Sequence, residues 1–150
     1  MAMAYVARDP SVRQVISIAG NDHGEFARET QRNAAFAEGI RNWMLSTRRP
    51  EGPAHFDYDA GLRMLVDHQD VYGLRENAAN LADRSILLFG GWEDEQVTID
   101  QYLLPLYRAL RGAGAAKATF LVYHTDHEFS NARQRLAHDI SGWILQAWGD

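Results

Sequence analysis

Apolar positions along this 150-residue chain follow two periods, and the period switches several times. Three short runs are almost continuously apolar: Val12 to Ala19, Ser85 to Phe89 and Ala118 to Tyr123. Turn residues bound them, Gly20-Asn21-Asp22 after the first and Gly90-Gly91 after the second, so each predicts a strand. For the first run, near-continuous apolar character predicts a parallel strand covered on both faces.

Elsewhere the apolar residues recur at helical spacing. Residues 1–8 are Ala-rich and favour helix, ending at Asp9-Pro10, because the residue before a proline is pushed out of the α region. Phe36, Ile40, Trp43, Met44 and Thr47 predict one amphipathic helix over about residues 25–48, broken by Pro50-Glu51-Gly52-Pro53. Leu62, Leu65, Val66 and Gln69 mark a shorter helix near 59–70, and Asn77 to Asp83 a further turn or two. Ile99, Tyr102, Leu103, Leu106, Tyr107 and Leu110 trace one stripe, opened by a capping-box pattern at Thr98-x-x-Gln101 and stopped by Gly112 and Gly114. Leu136, Ile140, Trp143-Ile144 and Ala147 predict a last helix over roughly 130–148.

Strands alternating with helices predict an α/β fold: a three-stranded parallel sheet with flanking helices. The length suits one domain, and no internal repeat or low-complexity tract interrupts it. A net charge of −5 with scattered arginines gives no basic stripe, so nucleic acid is not an expected partner. No apolar run approaches the ~18 residues of a membrane span. The first residues lack the charged and apolar regions of a signal peptide, and the expected setting is the cytoplasm. With no cysteine, disulfides, thiolate zinc sites and cysteine nucleophiles are all absent.

Ligands of open parallel sheets bind beyond the carboxyl ends of the strands. Three loops are expected there: Gly20 to His23, Gly90 to Glu95 and His124 to Phe129. The polar residues with catalytic potential gather in them. Asp94 and His127 are the candidate acid and base, while Glu93 and Glu95 read as solvated. Asp22 and His23 are candidates to line a substrate pocket, beside a plainer role in the turn. Trp92 sits in a site loop where it could flank substrate. His124 reads as a strand-end residue satisfied by backbone, and Asp126 as a turn former. His124, Asp126 and His127, completed by His23 or Asp22, also allow a metal reading, but they lack the spacing of a helical zinc motif. No metal or cofactor is expected.

The run Leu87-Leu88-Phe89-Gly90-Gly91-Trp92-Glu93-Asp94-Glu95-Gln96-Val97 resembles the acid loop of α/β-hydrolases, where a strand enters Gly-x-x-Asp and often x-x-Val-Pro. Thr98 stands where a proline is common, and Gly90 where a histidine is frequent. Tyr123-His124-Thr125-Asp126-His127-Glu128-Phe129 is similar to the family's histidine loop, in which Asp-His-x-Phe precedes the last helix. Arg8 to Gly20 resembles the stretch after the nucleophile helix. The likeness is closest to the dienelactone hydrolase and prolyl-oligopeptidase-like branches and is weak across 25–80.

The resemblance implies the C-terminal half of a serine hydrolase fold over residues 1–150, with a cap-like helical insertion at about 25–80. It implies Asp94 as catalytic acid, His127 as catalytic histidine, and an ester or peptide-like substrate. Such an enzyme needs a serine in a Gly-x-Ser-x-Gly turn ahead of both. None of the six serines has that setting. The expectation is therefore a chain inactive by itself, awaiting an N-terminal half. A non-catalytic module that oligomerises through an unpaired edge of the first strand is the alternative.

Overall fold

Leu87 and Phe89 alternate with Ile86 and Leu88 along the second apolar run, and all four side chains are buried. Only a strand covered on both faces accommodates that pattern. In the computed structural model, which describes residues 2–47 and 57–147, this run is the central strand of the sheet. The strands are β1 (Gln14–Ile18), β2 (Ser85–Gly91) and β3 (Ala118–Tyr123), all parallel, in the order β1-β2-β3. Val15 lies opposite Ile86, and Ile86 opposite Ala118.

Seven α-helices accompany them among the described residues: α1 (Ala2–Val6), α2 (His23–Arg32), α3 (Ala34–Thr47), α4 (Tyr58–Asp67), α5 (Gln69–Tyr72), α6 (Leu104–Gly112) and α7 (Arg133–Ala147). One sheet face packs Val15, Ile86 and Leu88 against Met3, Ala4 and Val6 of α1 and against Leu106 and Leu110 of α6. The other packs Leu87, Phe89 and Tyr123 beneath Leu136, Ile140 and Trp143 of α7. The result is three layers. At five residues, α1 is too short to hold itself as a helix in water. Burial of Met3 and Val6, worth about 1.5–3 kcal/mol for a fully buried side chain of this size, keeps it in place. No helix among the described residues is long and apolar enough to cross a membrane.

Four expectations need correction. First, the helix foreseen over 25–48 is two helices, divided at Asn33. The Asn33 backbone is extended; its N–H closes α2 on the Glu29 carbonyl, and its side-chain oxygen accepts from Phe36 N–H to open α3. A residue that caps both ways breaks a helix that periodicity alone joins.

Second, the Thr98 side chain makes no capping bond, and Ile99–Leu103 is wound as a π turn instead. Pro105 supplies the reason: it has no N–H for the carbonyl of Gln101 four residues before it. The Arg75 guanidinium donates to that carbonyl in its place.

Third, β1 is not fully covered. Val15 is buried, but Ile18 is 44% exposed, because β1 has a neighbouring strand on one side only. Fourth, α1 ends at Val6, short of Asp9-Pro10. The segment Pro50 to Pro53 and the side chains of Thr47 and Ala147 lie outside the described residues.

Between β1 and β2 the chain runs through α2 to α5 and a 3₁₀ turn at Ala78–Leu81. This is the stretch expected as an insertion, and it stands over one end of β1.

Candidate functional site

The bonding pattern of β2 and β3 continues beyond the strands and stitches the two loops together. Trp92 N–H donates to the Tyr123 carbonyl at 2.7 Å, and Glu93 N–H to the Thr125 carbonyl at 3.0 Å. Gly91 makes this approach possible. A Cβ there would stand 2.5 Å from the Thr125 carbonyl oxygen and 2.8 Å from that of Asp126, both backbone atoms.

Held in this way, the acid loop folds Asp94 inward until its side chain is wholly buried. Oδ1 accepts the N–H groups of Gln96 and Val97, each at 2.8 Å. Oδ2 lies 2.8 Å from Nδ1 of His127. A carboxylate can only accept here, so the neutral imidazole carries its proton on Nδ1 and leaves a lone pair on Nε2. The pair is ordered from the backbone outward: two amides fix the carboxylate, and the carboxylate fixes the ring.

The histidine loop has its own anchor. Phe129 adopts a left-handed backbone, φ 53°, while its ring is buried with Phe89, Tyr123 and Leu136. Left-handed geometry costs a side-chain-bearing residue about 1–2 kcal/mol, and burying a phenyl ring returns about as much or more. Asp126 accepts the N–H of Ser130 at 2.8 Å, a bond that lowers its own pKa, and so shapes the turn. The His124 carbonyl accepts from the Asn131 side chain, and its ring is exposed.

Nearby, α2, α3, α4 and the end of β1 enclose a cavity of about 800 Å³. Its helical wall carries Phe26, Phe36, Ile40, Trp43, Leu62 and Leu65, and its sheet side is Ile16 to Asn21. Glu95, Gln96, Val97 and His127 complete the lining. His127 is the one member of the buried pair that reaches this space. Ser17, in β1, is the only serine in the lining.

Of the residues proposed to meet substrate, His23 lines the cavity. Its Nδ1 stands 3.0 Å from the Asn21 carbonyl, and burial pushes its pKa down, which keeps it neutral near pH 7. Asp22 does not line it. That carboxylate is buried and engaged: it accepts from Glu25 N–H as the cap of α2, and from the N–H groups of Leu74 and Arg75. Trp92 is 60% exposed on the outer side of its loop and also lies outside the lining. Among the described residues no three His, Asp or Glu side chains gather as a metal site.

The stripe Phe36, Ile40, Trp43 and Met44 falls in the stretch expected as a cap; it lines the cavity, and Trp43 is half exposed. Sequence reasoning passed over Arg75, which reaches Asp22 and Glu25, each at 3.6 Å, and the Gln101 carbonyl. Glu25 also pairs with Arg28 and Arg32. Burial acts to raise the Glu25 pKa, and the bonds from Arg28 and Arg32, with the charge of Arg75, more than offset it. Nothing in the local sequence marks that cluster. Comparison with protein-family models and with curated proteins finds no match to this chain.

Proposed function

We propose that this chain supplies the acid and the base of a serine-hydrolase triad acting on ester or peptide-like acyl bonds. The observation that carries the reading is the 2.8 Å contact between buried Asp94 and His127 Nδ1. It leaves Nε2 unengaged on a ring that lines a large cavity. That is the arrangement a general base requires.

In the reaction proposed, Nε2 of His127 takes the proton of a serine hydroxyl as the oxygen attacks the acyl carbon. The imidazolium then returns the proton to the leaving alcohol or amine as the acyl bond breaks. Water attacks the acyl-serine by the same route in reverse, giving the acid and the free serine. Asp94 holds the ring in the productive tautomer and stabilises the imidazolium; it does not itself take the proton. The nucleophile comes from a Gly-x-Ser-x-Gly turn outside these 150 residues. No cofactor enters this chemistry.

The test is to isolate the chain from its source with any extension or partner it carries, and to treat it with a fluorophosphonate. Labelling of a serine outside residues 1–150, abolished by His127→Ala, is expected. Labelling that survives His127→Ala defeats the reading.

A second reading rests on β1 having a neighbouring strand on one side only among the described residues. A sheet edge with apolar side chains is a template for another strand, so the chain would act as a module that self-associates or accepts a partner. Light scattering tests it: a monomer that persists at high concentration counts against it.

A further inference from the structure

We propose that the cavity beside His127 accepts a neutral, largely apolar acyl ester and discriminates against a ligand that carries a carboxylate. The inference rests on the hydrolase reading and extends it to substrate class.

Size is the first argument. About 800 Å³ falls within the range of small-molecule sites, well above a single water. The lining gives the chemistry. Apart from His23 at the start of α2, the helical wall is aromatic and aliphatic, from Phe26 and Phe36 to Trp43 and Leu65. No lysine or arginine belongs to the lining among the described residues, and its one carboxylate is Glu95. Among the described residues, Arg28, Arg32 and Arg75 pair with the carboxylates of α2, Arg41 lies 3.6 Å from Asp59, and none of the four lines the cavity. His23, neutral through burial, supplies no positive charge either. A carboxylate brought here would lose its hydration and meet no partner, which is the unfavourable case for a charged group.

Polarity is also graded along the cavity. His127, Gln96 and Glu95 stand on its loop side, while Phe36, Ile40, Trp43 and Leu62 stand on the helices. A molecule with a carbonyl at one end and a hydrocarbon tail at the other fits this gradient, its carbonyl toward the imidazole. Met44 and Leu65 suit such a tail, since Met adapts its shape to a varied hydrocarbon surface.

The experiment titrates the chain with methyl octanoate and, separately, with octanoate, following tryptophan emission and heat. Among the described tryptophans Trp43 is the reporter, because it alone lines the cavity: Trp92 is exposed on another loop, and Trp143 of α7 packs on the sheet cluster of Leu87 and Phe89. Saturable binding of the ester is expected, with octanoate at least about tenfold weaker. Trp43→Phe should lose the emission change while calorimetry still registers the ester. Ile40→Trp, checked for folding by circular dichroism, should narrow the cavity and weaken ester binding. Equal or tighter binding of octanoate overturns the proposal, as does absence of saturable ester binding or full affinity in Ile40→Trp. Imidazole NMR on the same samples separates the two claims. Loss of ester binding with the Nδ1–H tautomer of His127 intact sinks only the substrate class. Ester binding without that tautomer sinks the triad and leaves the binding site.

Discussion

Oδ2 of Asp94 and Nδ1 of His127 meet at 2.8 Å across 33 residues of sequence, with the carboxylate wholly buried and the imidazole partly open. Neither side chain finds the other by local geometry. Each is placed by its own loop, and the loops are joined by the bonds from Trp92 to Tyr123 and from Glu93 to Thr125.

Substitution of the acid should separate stability from tautomer. Asp94→Ala leaves the N–H groups of Gln96 and Val97 without their acceptor and should cost about 2–4 kcal/mol in urea unfolding. Asp94→Asn keeps an oxygen for those amides and turns its NH₂ toward His127. The ring must then accept at Nδ1 and carry its proton on Nε2. Imidazole ¹⁵N shifts should show the switch with the fold retained; an unchanged tautomer contradicts the geometry.

Glycine positions offer opposite signs. Gly91→Ala forces a Cβ against two backbone oxygens, a clash that flexible side chains cannot absorb. It should destabilise by about 1–3 kcal/mol and weaken the Asp94–His127 contact. Gly39→Ala, inside α3 with open space around it, should stabilise by about 0.5–1 kcal/mol. Thermal unfolding of both variants checks the contrast.

Acidification should weaken the fold in two ranges. The His23 pKa is lowered by burial, so the unfolded chain binds this proton at a higher pH than the folded one. The stability that neutral His23 carries is present above its ordinary 6.5 and is lost as pH falls through the folded value. Glu25 is also lowered, so its contribution is present above its ordinary 4.5 and is lost on further acidification. His23→Phe should remove the upper dependence and keep the lower one. Urea midpoints between about pH 2.5 and 8 for both proteins measure it, and parallel profiles speak against His23.

The chain as it stands should not react with a fluorophosphonate. Ser17, the one serine among the described lining residues, lies in β1 rather than on a Gly-x-Ser-x-Gly turn. Mass spectrometry after treatment should find no adduct. Stoichiometric modification of Ser17 would show that the chain carries its own nucleophile.

Much of this was legible in advance because short apolar runs mark the strands, although β2 continues through Gly90 and Gly91, which read as the turn closing it. β3 runs over Ala118–Tyr123, as the pattern predicts, and Asp94 and His127 lie at the same sheet margin. What the pattern does not reveal depends on particular atoms. The break at Asn33 comes from one residue capping two helices, with its backbone N–H on one side and its side chain on the other, and the π turn from the missing N–H of Pro105. The buried role of Asp22 arises from amides more than fifty residues away, at Leu74 and Arg75. A residue's reach across the fold is not written in its neighbours.

The grip of Arg75 ties distant parts of the molecule into one mechanical unit. Its guanidinium touches the loop after β1 through Asp22, helix α2 through Glu25, and the turn that follows the Asp94 loop through Gln101. Moving α2 away from the sheet therefore means breaking the Arg75 contacts or carrying the Gln101 turn along.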